Sequence, residues 1–394
     1  MDDSSKPIKL IKNTFFNEEH TKQALADFIL KSERLSMGDH CRRFEVEFSR
    51  YYNRNHSVLV NSGSSANLCL LQALMNLGLL KKGDKVAFSA VTWSTNVMPI
   101  IQLGLTPIPV DVDLATLNVD SKQFKEFLYK FRPRTFFITN LLGFCADLEN
   151  IKDLCDSNDI IFIEDNCESF GSIYKGKKLG NFGFASTYSF FVGHHLSAIE
   201  GGAICCDDEE LNNMITMVRA HGWDRSLSPE KQKELRSDYS VDSFYDQYTF
   251  YDLGYNLRPT EITGFVANLQ LACADEMISR RNKNFFSFHE AATKNNSFES
   301  LSFDHMDLVS NFAYPIICKT KALFEHYKKV FIENNVEIRP IVSGNMVLQP
   351  FFLKYSKDRY KLHNADIIHE LGFYFPNNPD MDEEEIRKLV TLLT

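Results

Sequence analysis

The 394-residue chain has no apolar run of 18 residues and no low-complexity segment. Its start, Met1-Asp2-Asp3-Ser4-Ser5-Lys6, lacks the apolar core of a secretory signal. The formal net charge is −9, whereas nucleic-acid binding requires a positively charged surface. These absences predict a cytoplasmic protein with neither a membrane nor a nucleic acid as partner.

Signatures of metal and dinucleotide binding are also missing. The nine cysteines form no C-x-x-C pair and the eleven histidines form no H-E-x-x-H, so we expect no metal site. Nearly all cysteines have apolar neighbours, which predicts reduced thiols packed in the core. Neither G-x-G-x-x-G nor G-x-x-x-x-G-K-[ST] occurs, which argues against a dinucleotide or nucleoside triphosphate site.

With 44% hydrophobic residues, the chain can build a large core, and from about residue 56 it alternates strand-like and helix-like runs. The predicted strands are Ser57–Val60, Lys85–Ser89, Thr106–Val112, Thr135–Thr139, Ile160–Glu164, Ser186–Phe191 and Gly202–Cys206. The predicted helices between them include Ser64–Leu79, Ser121–Lys130 and Asp147–Ser157. This alternation indicates an α/β fold with a mostly parallel seven-stranded sheet that is flanked by helices.

The pattern predicts three regions along the chain. Residues 1–30 form an N-terminal arm, residues 31–278 a large α/β domain, and residues 279–394 a smaller α+β domain. The second boundary follows a helix-bearing stretch, Leu253–Ile278. Beyond it lie short aromatic runs and two amphipathic stretches, Lys321–Asn334 and Asp382–Leu393, which are typical of a smaller unit.

Three short segments carry groups that could bind a flat, charged ligand. Gly63 and Ser64 stand where a strand gives way to a helix, a place suited to an anion but equally to an ordinary helix cap. Asp165 follows a buried strand, where it could pair with a protonated ring nitrogen or cap a helix. Trp93 offers a flat face for stacking, although core packing would explain it as well.

Five segments occur together in one order. They are N-S-G-S-S-A at 61–66, T-W-S-T at 92–95, E-D-N-C-E-S-F-G at 164–171, S-F-F-V-G-H-H-L-S-A-I-E-G-G at 189–202 and G-Y-N-L-R-P-T-E at 254–261. Together they resemble the nucleotide-sugar aminotransferase family of pyridoxal-phosphate (PLP) enzymes, and 338–340 and 344–350 extend the likeness. The resemblance implies the fold-type I PLP architecture and a homodimer with active sites at the subunit interface.

The same resemblance assigns a role to each matching residue. The cofactor phosphate would be held by Gly63, Ser64 and Ser189, together with Asn256 of the partner subunit. Residues 31–278 would accordingly be the cofactor-binding domain.

At the cofactor ring, Trp93 would stack on the pyridine face and Asp165 would bind its nitrogen. Glu168 stands where relatives often have a polar residue near the ring hydroxyl. The candidates for substrate contacts are His221, Arg258 and Arg339.

One position departs from the family pattern. The residue that is normally the catalytic lysine is His194, and no lysine occurs between Lys178 and Lys231. A primary amine can condense with the PLP aldehyde, whereas an imidazole cannot. We therefore expect a cofactor that is not covalently attached, present as PLP or its amine form, pyridoxamine phosphate (PMP). An imidazole titrates near neutral pH, so His194 remains able to transfer protons.

Within the family, this pattern resembles the 3-dehydratases that make 3,6-dideoxy sugars. The likeness is greatest to the glutamate-dependent group that acts on GDP-4-keto-6-deoxymannose in the colitose pathway, through G-H-H-x-S-x-I-E-G-G and A-V-T-W-S-T. It implies loss of the C3 hydroxyl of a nucleotide-linked keto sugar as water, with ammonia and PLP released. L-glutamate would then restore PMP. His194 would be the catalytic base, and His195 would pack against it or orient it.

Three alternatives remain open. A CDP-sugar dehydratase with an iron–sulfur cluster and a reductase partner shares the histidine but needs clustered cysteines, and Cys205-Cys206 lies in a predicted strand without a C-x-C partner. A sugar 4-aminotransferase normally uses lysine. A non-catalytic cofactor-binding regulator would explain the loss of lysine, although Trp93, Asp165 and the phosphate-binding segment all persist.

Overall fold

The structure, a computed structural model, describes residues 7–394. Its helices are α1 Glu18–Lys31, α2 Asp39–Tyr52, α3 Gly63–Asn76, α4 Met98–Gln102, α5 Ser121–Phe131, α6 Leu148–Ser157, α7 Glu209–Arg219, α8 Pro229–Asp238, α9 Glu261–Leu271, α10 Ala274–Ala292, α11 Lys321–Glu333, α12 Pro350–Tyr355, α13 His363–Leu371 and α14 Glu383–Leu393. Its strands are β1 His56–Val60, β2 Lys85–Ser89, β3 Thr106–Val110, β4 Thr135–Thr139, β5 Ile161–Asp165, β6 Ile173–Tyr174, β7 Lys177–Lys178, β8 Ala185–Ser189, β9 Gly202–Cys206, β10 Met306–Leu308, β11 Ala313–Ile317, β12 Arg339–Pro340 and β13 Gly372–Pro376.

The seven-stranded sheet confirms the predicted α/β fold. Its order is β1-β9-β8-β5-β4-β2-β3, and β9 pairs antiparallel with both neighbours while β8, β5, β4, β2 and β3 run parallel. Central strands such as β4 and β9 are buried at every position, because helices cover both faces of the sheet.

Some element boundaries differ from the predictions. The stretch Leu253–Ile278 begins a helix only at Glu261, because Pro259 lacks an amide donor and the Thr260 hydroxyl accepts the Thr263 amide as a helix cap. A break at residues 272–273 then separates α9 from α10. The strand predicted to reach Phe191 ends at Ser189, where a loop of residues 190–201 begins.

The carboxyl ends of the central strands lie side by side. Thr139 of β4 is in register with Asp165 of β5, which is in register with Thr187 of β8. The neighbouring residue Glu164 is fully buried and accepts the amides of Gly180, Phe182 and Gly183 at 2.7 to 2.9 Å. This carboxylate therefore fixes the turn that leads into β8.

The C-terminal region contains a smaller antiparallel sheet of order β11-β13-β12, and a third sheet has the order β10-β6-β7. The N-terminal segment contacts this region, since Ile8 exchanges backbone hydrogen bonds with Asn335 and Glu337 at 2.9 Å. Residues 1–6 of the predicted arm lie outside the described residues. The boundary predicted after residue 278 falls inside α10, and the three-region division stays a prediction.

All nine cysteines are free thiols, and seven of them are buried; Cys167 and Cys273 are partly exposed. Helices long and apolar enough to cross a membrane do not occur between residues 7 and 394.

Candidate active site

A cavity of about 280 Å³ opens at the carboxyl ends of β5 and β8. The predicted site residues on its wall are Gly63, Ser64, Trp93, Asp165, Glu168, Ser189, His194 and Arg339. The lining residues found between positions 7 and 394 include no lysine. The cavity thus unites residues that are far apart in the sequence, and an imidazole stands where the family resemblance expects an amine.

One end of the cavity is formed by the N-terminus of α3. The Ser62 hydroxyl accepts the Ser65 amide at 3.0 Å and caps the helix. A Cβ atom on Gly63 would lie 2.6 Å from the Cβ of Ser189, so only glycine permits the helix to approach β8 this closely. Free amides and the helix dipole make this end favourable for an anion, with the hydroxyls of Ser64 and Ser189 beside it.

The carboxylate of Asp165 is fixed by three donors. Its Oδ2 accepts the side-chain amides of Asn67 at 2.9 Å and Asn96 at 2.7 Å, and its Oδ1 accepts the Cys167 amide at 2.9 Å. The side chain is only 3% exposed, and no helix follows it, so the helix-cap interpretation is wrong. The carboxylate is therefore held rigidly on the cavity wall.

Sequence reasoning missed both asparagines that hold Asp165. A signal existed for Asn67, which stands four residues after Gly63 and so lies on the same face of α3. Asn96 lies in a short 3₁₀ turn just after Trp93. Other lining residues that were not predicted include Phe312 and Tyr374.

Glu168 is a second carboxyl group on the cavity wall, in a different environment. It is buried, and from residues 7–394 it accepts a single hydrogen bond, from the Leu142 amide to Oε2 at 3.0 Å. Burial raises the pKa of Glu168 to about 8, and the nearby Asp165 adds to the rise. At neutral pH Glu168 is accordingly protonated and can donate a hydrogen bond into the cavity. The Asp165 carboxylate, by contrast, accepts three hydrogen bonds.

Trp93 is 54% exposed and lies on the cavity wall. The core-packing interpretation is therefore wrong for this residue. Its ring face is available for a flat ligand.

His194 lies in the loop that joins β8 to β9. Its ring lies 5.7 Å from that of Phe191 and 5.4 Å from that of Phe312, measured between centroids. Its Nδ1 is buried and has no hydrogen-bond partner within residues 7–394. Burial, with a smaller contribution from the positive charge of Arg281, lowers the pKa of His194 to about 4. The expectation that His194 titrates near neutral pH is therefore wrong; at neutral pH this imidazole is uncharged and able to accept a proton.

The remaining predicted residues do not reach the cavity of the single chain. Arg258 donates from Nε to Oδ1 of Asn256 at 3.0 Å, and its guanidinium lies 5.3 Å from the ring of Trp223. The ring of His221 lies 4.9 Å from the same tryptophan. These three residues form a separate, partly exposed cluster around Trp223, and their roles stay predictions.

The sequence and the fold of this chain are both similar to those of known sugar-modifying enzymes. Residues 17–394 match the family model described as the DegT/DnrJ/EryC1/StrS aminotransferase family. The chain is 33% identical to a GDP-4-keto-6-deoxy-D-mannose 3-dehydratase from Yersinia pseudotuberculosis, over 93% of each protein. It is 31% identical to a dTDP-4-dehydro-2,6-dideoxy-D-glucose 3-dehydratase from Saccharopolyspora spinosa, over 95% of this chain and 83% of that protein. A solved Escherichia coli GDP-4-keto-6-deoxy-D-mannose-3-dehydratase with bound hydrated PLP superposes with a TM-score of 0.88 at 30% identity, covering 99% of this chain and 100% of that one.

The shifted pKa of Glu168 predicts a pH-dependent stability of the cofactor-free protein. The unfolded chain releases this proton near pH 4.5, whereas the folded protein retains it up to about pH 8. The free energy of unfolding therefore contains a contribution that falls as the pH rises between these values, by about 1.4 kcal/mol for each unit of pKa difference. In Glu168→Gln that contribution is absent.

Denaturant unfolding between pH 5 and pH 8 measures the difference between the two proteins. We expect Glu168→Gln to gain stability relative to the wild type as the pH rises, by several kcal/mol in total. The control, Glu230→Gln at an exposed position in α8, should run parallel to the wild type. Parallel curves for Glu168→Gln would contradict a protonated Glu168.

Proposed function

Because the chain belongs to the DegT/DnrJ/EryC1/StrS aminotransferase family, we propose that it is a 3-dehydratase of GDP-4-keto-6-deoxymannose that uses L-glutamate to regenerate its cofactor. It is a PLP-dependent enzyme of the sugar 3-dehydratase and aminotransferase type. The observation that supports dehydration best is His194 itself: an uncharged imidazole lies on the cavity wall, and no lysine lies there within residues 7–394.

The residues present fit the cofactor. The N-terminus of α3 closes tightly on β8 because Gly63 has no side chain, and it offers free amides to a phosphate. The rigid carboxylate of Asp165 suits a protonated pyridine nitrogen, and the exposed face of Trp93 suits an aromatic ring. Glu168, when protonated, would donate to the ring hydroxyl.

When bound, PMP supplies an amine that captures the sugar ketone and a ring that withdraws electrons from the neighbouring carbon. His194 would accept the proton released from the cofactor's C4′ carbon. It would then deliver a proton to the C3 hydroxyl of the sugar, which leaves as water. Because an imidazole cannot condense with the aldehyde of PLP, His194 would stay available for proton transfer.

The nucleotide that we propose is GDP. One similar 3-dehydratase is named for a GDP-sugar and another for a dTDP-sugar. We favour GDP because the likeness covers 93% of the Yersinia pseudotuberculosis enzyme. Arg339 lies on the cavity wall and would contact the substrate.

We further propose a homodimer whose second subunit completes the site. Asn256 and Arg258 are exposed in the single chain and lie apart from the cavity. In the dimer, Asn256 of the partner subunit would reach the phosphate. His221 and Arg258 would face the substrate there.

The direct test incubates the enzyme with PMP, L-glutamate and 4-keto-6-deoxy sugars linked to GDP, CDP or dTDP. We expect mass spectrometry to detect a GDP-sugar lighter by one oxygen atom, because the C3 hydroxyl leaves as water while conversion of PMP to PLP supplies two electrons, with 2-oxoglutarate formed in step. An amino sugar as the product would indicate a 4-aminotransferase instead. A requirement for iron and a reductase would indicate the CDP-sugar type, and no turnover with any sugar would indicate a regulator.

Replacing the proposed base gives a second prediction. Because a positioned acid–base group contributes about 10² to 10⁴ in rate, His194→Asn should lose dehydration by at least about 100-fold. Cofactor affinity should change little, since the phosphate and ring contacts belong to other residues. Steady-state rates and cofactor titration measure both, with exposed His326→Asn on α11 as the matched control. Turnover near the wild-type rate would refute the assignment of His194.

A further inference from the structure

Arg281 of α10 is a buried cation that contacts the loop of residues 190–201, which carries His194. Its side chain is only 5% exposed. Within residues 7–394 no carboxylate forms an ion pair with it; its hydrogen bonds go from Nη1 to the carbonyl oxygen of Asn377 and from Nη2 to that of His194, at 3.2 Å. Burying a charge without a paired carboxylate costs free energy. Side-chain packing alone therefore does not explain why an arginine occupies this position.

The contacts of Arg281 tie the loop to the smaller C-terminal sheet. Asn377, which follows β13, donates its side-chain amide to the Arg281 carbonyl at 2.9 Å and to the Oδ1 of Asn311 at 2.6 Å. Asn311 in turn lies just before β11. The guanidinium thus links the His194 carbonyl to Asn377 at the end of β13, and the Asn377 side chain continues the link to Asn311 before β11.

The charge of Arg281 also acts on the two histidines in front of it. It adds to burial in lowering the pKa of both His194 and His195. Burial lowers the pKa of Arg281 itself to about 9, which still leaves it protonated at neutral pH. The titratable groups around His194 are Asp165, Cys167, Glu168, Glu200, Arg339 and Tyr374 in the cavity, and His195, Arg281 and Asp380 behind it.

We propose that Arg281 is a positioning residue that fastens the loop carrying His194 to the C-terminal sheet and places a positive charge behind its imidazole. It does not touch the reacting atoms. Its effect is to hold the imidazole in place, and its charge adds to burial in lowering the basicity of the imidazole. The inference rests on the proposed base role of His194.

The test compares Arg281→Met, which keeps the aliphatic stem, with Arg281→Lys, which keeps the charge. The neighbouring Arg280→Met is the matched control, because Arg280 is more exposed and pairs with Glu276 on the surface of α10. Two quantities are measured: kcat and KM for the sugar, and the pH dependence of His194 carbethoxylation in the full-length, cofactor-free chain. Fragment-ion mass spectrometry separates modification of His194 from that of His195.

For Arg281→Met we expect kcat to fall about tenfold or more because the base is displaced, with KM changed less than about threefold. The midpoint of His194 modification should rise by about half to one pH unit, because the repelling charge is gone. Arg281→Lys should keep the wild-type midpoint, because the positive charge remains. Its kcat should fall, because one ammonium group does not replace a planar guanidinium that bonds two carbonyl oxygens. Arg280→Met should behave as the wild type.

An unchanged midpoint together with an unchanged kcat in Arg281→Met would overturn the inference, and so would a fall in kcat without any shift of the midpoint. If Arg281→Met fails to fold, Arg281→Lys decides: a wild-type midpoint with reduced kcat supports the inference, and a raised midpoint or an unchanged kcat overturns it.

The modification assay needs no turnover. Failure of the base assignment, seen as activity in His194→Asn, is therefore distinguishable from failure of the role of Arg281.

Discussion

A single carboxylate oxygen, Oδ2 of Asp165, connects three segments of the chain that meet only in the folded protein. It accepts amide hydrogens from Asn67 on α3 and from Asn96 in the turn after β2, while its own backbone ends β5. All three groups are buried, so an unpaired partner would cost the full desolvation of a polar group. The position of the helix N-terminus, and with it the anion-binding end of the cavity, depends on this junction.

Two carboxyl groups on one cavity wall have different surroundings. Asp165 accepts three hydrogen bonds, whereas Glu168 accepts one from the described part of the chain, and burial raises the pKa of Glu168. Burial also lowers the pKa of His194, which favours its uncharged form. The fold thus places a firmly held carboxylate, a hydrogen-bond donor and a proton acceptor around a single space, without a lysine from residues 7–394 on its wall.

The strands and part of the cavity wall could be predicted from the sequence. Short runs with apolar, β-branched or aromatic residues alternate with helix-like stretches, so all seven strands of the main sheet were found, with ends displaced by a residue or two. Gly63 and Asp165 were found because each stands at the end of a strand, and His194 because its segment resembles the family motif that normally carries lysine. Trp93 was ambiguous by itself, and its exposure became clear only in the folded chain.

The supporting residues could not be predicted, since their partners are remote. Asn67 is 98 positions from Asp165, and Arg281 is 87 positions from His194 in the middle of a long helix. No local pattern marks such a residue, because its role is defined by what the fold places against it. In the same way the cluster of His221, Asn256 and Arg258 lies on a different surface of the single chain, although the family motif brought it into the predicted site.

The central claim is that the cofactor is held without a covalent bond. The most direct measurement is borohydride treatment of the enzyme loaded with PLP, followed by denaturation and intact-mass analysis. We expect a protein of unmodified mass, with all of the cofactor released. A mass increase corresponding to one phosphopyridoxyl group per chain, mapped to a single lysine peptide, would contradict it.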